Sequence, residues 1–127
     1  MSATTNGIGW FEIGTDEPAQ AERFYGELFG WSFSTDEDAG IPYRGVDTGS
    51  AGSIGGGLFP TGGQVPNYAI FYVVVDDVAQ TCRRAEAAGG KVIVPVTATG
   101  TGLTFAHLVD PSGNHFGVYT PPAGSDT

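Results

Sequence analysis

At 127 residues, with 14 acidic against 5 basic side chains and a formal charge of −9, the chain can form a domain with a real core, and it has no basic surface to displace counterions from nucleic acid. No apolar run reaches bilayer-spanning length and no basic-plus-apolar leader opens the sequence, so a soluble cytoplasmic protein with neither membrane nor nucleic acid as partner is expected. Cys82 is the single cysteine and falls on a predicted helix, which points to a buried or half-buried thiol rather than a disulfide or a nucleophile.

Ile8 to Gly14 alternates aromatic, acidic and aliphatic side chains and predicts a strand. Thr15-Asp16-Glu17-Pro18 then supplies polar cap candidates and a first-turn proline. The helix that follows runs to about Phe29, with Ala21, Phe24, Tyr25 and Leu28 as its apolar positions, and Gly30 is placed to end it in the left-handed conformation. Strands are predicted over Trp31–Ser34, Tyr43–Val46 and Ile54–Phe59. Pro60 to Pro66 is a connector. Tyr68 to Val75 is too rich in aromatic and β-branched residues to be a helix. Val78–Ala88 is the second helix, ended by Gly89-Gly90, and Lys91–Val96, Thr104–Val109 and His115–Tyr119 are strands. The last two are joined by a hairpin loop, Asp110-Pro111-Ser112-Gly113-Asn114.

The second half repeats the first at an offset of sixty residues. Asp16 to Arg23 aligns with Asp76 to Arg83, Gly30 with Gly90, and Gly57-Leu58-Phe59 with Gly117-Val118-Tyr119. A unit too small to fold alone buries its apolar face against its copy. The reading is therefore α+β: one domain of two tandem βαβββ units (7–60 and 67–120, connector 61–66, tail 121–127) forming an open, cupped mixed sheet, with a ligand groove between the halves.

This order of elements, with Phe24-Tyr25-Gly26-Glu27-Leu28-Phe29-Gly30-Trp31 on the first helix and Asp110 to Asn114 before the last strand, resembles the vicinal oxygen chelate superfamily of glyoxalases, extradiol dioxygenases, fosfomycin-resistance enzymes and bleomycin-resistance proteins. The resemblance covers residues 7 to 120. It implies that a metal-dependent member would carry His, Glu or Gln ligands early in the first strand and in the last strand of each unit. Those positions fall at Trp10, Ile70, Gly57 (Gly55 or Gly56 if the register slips) and Gly117. None offers a donor to a divalent cation, so the expected metal set is none and the expected cofactor is none.

Strand alternation puts Trp10 and Glu12 on the cup face of the first strand, and Tyr68, Ile70, Tyr72 and Val74 on that of its repeat, while Ala69, Phe71, Val73 and Val75 pack against the helices. Gly57 and Gly117 opposite them leave room. Such a surface suits a flat apolar ligand. Glu12 and its repeat mate Tyr72 form a candidate acid–base pair across the groove, the carboxylate serving as general base, as acceptor for a ligand hydroxyl or amine, or as a structural group. His115 shares parity with Gly117 and is a further lining and proton-carrier candidate.

The leading expectation is metal-independent binding of a small aromatic or amphipathic molecule, an antibiotic or secondary metabolite, as the bleomycin-resistance branch implies, by a homodimer. Two alternatives stay open: a metal-free lyase, isomerase or cyclase using Glu12 and Tyr72, and a metal-dependent lyase or dioxygenase with unusual ligands such as His107, His115 and Glu12.

Overall fold

The computed structural model describes residues 5–35, 43–99 and 102–122. Among these the element order is β1 (Ile8–Thr15), α1 (Pro18–Phe29), β2 (Ser32–Thr35), β3 (Arg44–Asp47), β4 (Gly56–Pro60), β5 (Tyr68–Val74), α2 (Val78–Ala87), β6 (Lys91–Ala98), β7 (Thr104–Val109) and β8 (His115–Thr120). This is the predicted α+β arrangement of two βαβββ units. Each element ends within two residues of its sequence expectation.

Contacts divide the chain into two compact units, Trp10–Ala69 and the residues from Ile70 onward together with those up to Gly9. In the first, the strand order is β2-β3-β4-β1, with β1 parallel to β4 and the other pairings antiparallel. Pro18 occupies the first turn of α1, and Gly30 closes it at φ 75°, donating its N–H to the Gly26 carbonyl at 2.8 Å. The apolar stripe on α1 turns inward only at Ala21 and Tyr25, which are half-buried. Phe24 and Leu28 are each 58% exposed, and α1 buries no residue fully. Instead Tyr25 stacks on Trp31 at 5.3 Å, and Trp31 meets Phe11 at 5.7 Å.

The second unit has the order β5-β8-β7-β6, again with the parallel pair (β5 with β8) completed by antiparallel hairpin strands. The segment before Trp10 joins it by backbone pairing: Asn6 N–H donates to the Val74 carbonyl and Val74 N–H to the Gly7 carbonyl. Asp77 caps α2 by accepting from the Gln80 N–H at 3.0 Å. Val78 and Cys82 on α2 close over Val75, Ala106, Leu108 and Val118 to form the core. The Cys82 thiol is buried there, and desolvation, reinforced by Glu86, pushes its pKa up. It is a packing residue, as expected.

One face assignment needs correction. Along β5, Ile70, Tyr72 and Val74 are buried, but Ala69 and Phe71 are exposed instead of packing on a helix. Phe71 stacks against Phe116 of β8 at 6.2 Å. Only the end of the predicted inner set, Val73 and Val75, reaches the α2 core. The Asp110–Asn114 hairpin is a turn device: the Asp110 carboxylate accepts from the Ser112 and Asn114 N–H groups and from the Asn114 amide. Among the described residues no helix is long and apolar enough to cross a membrane.

Candidate functional site

In the first unit, strand register sets three backbone positions in a row. Glu12 on β1 lies opposite Gly57 on β4, which lies opposite Gly45 on β3. Tyr43, two residues before Gly45 and on its face, reaches over β4 to donate its hydroxyl to Glu12 Oε1 at 2.8 Å. It can do so only because Gly57 has no side chain: a Cβ there would fall 1.9 Å from the Tyr43 hydroxyl oxygen. Tyr68 donates to Glu12 Oε2 at 2.6 Å, and the Trp10 indole N–H donates to the Tyr43 oxygen at 2.9 Å. Glu12 is 6% exposed, so a buried carboxylate is held by two phenols with an indole behind them. Burial, and next the charge of Glu12, raise both phenol pKa values well above the ordinary tyrosine range. The phenols therefore stay protonated and act as donors.

The second unit builds an analogous row from different chemistry. Tyr72 on β5 lies opposite Gly117 on β8, which lies opposite His107 on β7. The Tyr72 ring covers Gly117, where a Cβ would fall 2.4 Å from it, and its hydroxyl is hydrogen-bonded to His107 Nε2. The other ring nitrogen of His107 bonds His115 Nε2 at 2.8 Å. Tyr72 and His107 are buried, and His115 is half-buried beside the hairpin. Desolvation, with His115 as a second cause, pushes the His107 pKa down to about 4, and desolvation also lowers that of His115. Both imidazoles are neutral at pH 7.

Within the first unit the structure gathers Trp10, Glu12 and Tyr68, and within the second Tyr72, His115 and Gly117, with Ile70 buried on the same strand as Tyr72. The space above Gly57 and Gly117 is taken by tyrosine rings of the protein itself, not left as room for a ligand as the sequence reading supposed. Tyr43 was missed. Its signal was the facing pair Gly45 and Gly57, which opens a lane across β4 for an aromatic residue two positions away. His107, weighed in the sequence only as a metal ligand, is the partner of Tyr72. A surface cleft of about 280 Å³ opens at the start of α1, lined by Thr15, Glu17, Gln20, Ala21 and Phe24, and contains none of the predicted site residues.

The metal implied by the resemblance does not fit these residues. Trp10 offers an N–H donor already committed to Tyr43, Gly57 and Gly117 lie under rings, and Ile70 is aliphatic. Among the described residues no group of three or more His, Cys, Asp or Glu is arranged to hold an ion.

Residues 7–118 match the sequence profile described as Glyoxalase/Bleomycin resistance protein/Dioxygenase superfamily. A putative glyoxylase of Mycobacterium tuberculosis is 40% identical over 118 residues, covering 92% of this chain and 45% of that protein. A glyoxylase-like domain-containing protein of Didymella fabae is 30% identical over 123 residues, covering 91% and 94%. An anthracycline biosynthesis protein of Streptomyces peucetius is 29% identical, covering 87% and 45%. The chain spans about half the length of the mycobacterial relative. Among solved structures, methylmalonyl-CoA epimerase of Streptomyces coelicolor superposes with a TM-score of 0.63 at 17% identity, covering 98% of this chain and 99% of that one, a likeness of fold.

Proposed function

This chain belongs to the Glyoxalase/Bleomycin resistance protein/Dioxygenase superfamily, and from that premise we propose that it binds a small aromatic or amphipathic molecule without a metal ion, anchored at Glu12. The observation that carries the reading is the buried Glu12 carboxylate fixed by the hydroxyls of Tyr43 and Tyr68 beside Trp10. A ligand hydroxyl or amine that takes the place of the Tyr43 or Tyr68 hydroxyl on Glu12 gains a charge-assisted acceptor with aromatic rings beside it for stacking. The absence of donor side chains at Trp10, Ile70, Gly57 and Gly117 supports the metal-independent part. A relative named for anthracycline biosynthesis, and a superfamily named in part for bleomycin resistance, support antibiotics and other secondary metabolites as candidate ligands.

Native mass spectrometry with a panel of aromatic natural products tests this directly. A ligand should bind, quench or shift Trp10 fluorescence, and bind at least tenfold more weakly to Glu12→Gln, about 1.4 kcal/mol. Loss of the fluorescence response in Trp31→Phe with retention in Trp10→Phe would place the ligand elsewhere. A stoichiometric Fe, Zn, Ni or Mn that resists mild chelation and is required for binding would overturn the metal-independent reading.

A second reading, a metal-free lyase, isomerase or cyclase, is favoured by the hydrogen bond between Tyr72 and His107, which gives a phenol a basic partner. Recovery of altered rather than intact ligand selects it. In either case the chain acts as a homodimer in this proposal, because Phe24, Leu28 and Phe29 on α1 are each more than half exposed and call for a cover. Sedimentation at micromolar concentration should give a dimer; a 13.1 kDa species would contradict it.

A further inference from the structure

We propose that Tyr72, His107 and His115 form a proton relay that joins a buried phenol on β5 to the hairpin end of β8, so that Tyr72 gives or takes a proton from a bound molecule while solvent restores it. The relay rests on the ligand-binding half of the proposed function, since it needs a bound acceptor, and not on its metal-independent half. Three observations support it. The hydrogen bonds run without a break from the Tyr72 hydroxyl to His107 Nε2, and from His107 Nδ1 to His115 Nε2 at 2.8 Å. Exposure rises along the relay, from buried Tyr72 and His107 to half-buried His115, which directly follows the exposed turn residues Pro111 to Asn114. The rings are fixed in place: Tyr72 lies over Gly117 and packs edge-on against His107, and the two imidazole centroids are 4.9 Å apart.

The step conserves protons and never charges an imidazole. The Tyr72 O–H bond breaks as its proton passes to an accepting atom of the bound molecule. His107 gives its Nε2 proton to the Tyr72 oxygen, His115 gives its Nε2 proton to His107 Nδ1, and water protonates His115 Nδ1. The net change is one proton moved from water to ligand, with both imidazoles left in the opposite neutral tautomer. Burial that disfavours an imidazolium leaves this route open, because a tautomer exchange carries the proton without building charge on His107.

The relay makes two requirements of the ligand-free protein, so its failure is separable from that of the ligand proposal. In ¹⁵N-histidine NMR at pH 7 the two imidazoles must occupy matched tautomers, both Nε2–H or both Nδ1–H, since only a matched pair places one proton in the shared bond. Mismatched tautomers overturn the relay. The Tyr72 hydroxyl proton, identified by its loss in Tyr72→Phe, should exchange with water at least tenfold more slowly in His115→Gln than in the parent protein. An unchanged rate in a folded variant overturns it as well, and the tautomer measurement needs no variant.

Discussion

Gly57→Ala is expected to destabilise the protein by about 3 kcal/mol, adding the cost of overpacking to the loss of a hydrogen bond on a buried carboxylate. The new Cβ would lie 1.9, 2.1 and 2.3 Å from the hydroxyl oxygen, Cζ and Cε2 of Tyr43. The outer half of the ring is in the way, so a small adjustment does not relieve the clash. Tyr43 must leave, and with it go the donor to Glu12 Oε1 and the acceptor of the Trp10 indole N–H. Urea unfolding of the four members of a double-mutant cycle checks the cause. On a Tyr43→Ala background the same glycine change should cost less than about 1 kcal/mol, because the ring it displaces is gone. An equal cost in both backgrounds would mean that Tyr43 does not occupy the lane above Gly57.

Acidification is expected to remove a comparable amount of stability through His107. Its pKa lies near 4 in the fold, where it is desolvated between Tyr72 and faced by His115, against about 6.5 when unfolded. Above pH 6.5 neither state binds a proton at this site and the contribution is flat. Between 6.5 and 4 the unfolded chain is protonated and the native state is not, so stability falls as pH falls, by about 3 kcal/mol in total. Below pH 4 this group adds nothing more. His115, shifted in the same direction by desolvation, contributes with the same sign. Carboxylates titrate over part of this range too, so the measurement is a comparison: the parent should lose more stability between pH 7 and 4.5 than His107→Gln. Parallel profiles would show that His107 is not held neutral.

The alternation of Ile8 to Gly14, the glycine stops at Gly30 and Gly89, and the sixty-residue repeat made the element order readable, because each is a local preference of the backbone. Parity likewise put Trp10 and Glu12 on one face, and they share one hydrogen-bonded cluster through Tyr43. Tyr43 as a partner of Glu12 was not readable in the same way. By strand register its counterpart in the second unit, two residues before His107, is Phe105, a ring without a hydroxyl, so the repeat gave no sign of it. Glycine misled for a physical reason: a missing Cβ signals close approach, but not whether a ligand or a neighbouring ring approaches. The apolar stripe on α1 misled too, since periodicity shows that a helix has an apolar face and not what lies against it.

The two glycine crossings have a consequence for where sequence change alters chemistry. At Gly57 and again at Gly117, side chains on two strands meet over a third that contributes only backbone, so the intervening strand works as an aperture whose width is a single hydrogen atom. Widening is impossible, and any side chain closes it. Variation that retunes Glu12 or Tyr72 need not touch either residue: it can act from strands β4 and β8, at positions with no titratable group. On the binding proposal, a selection for altered ligand preference would find hits at Gly57 and Gly117 as well as at Glu12 and Tyr72, and would find them in pairs, a filled glycine with a shortened aromatic beside it.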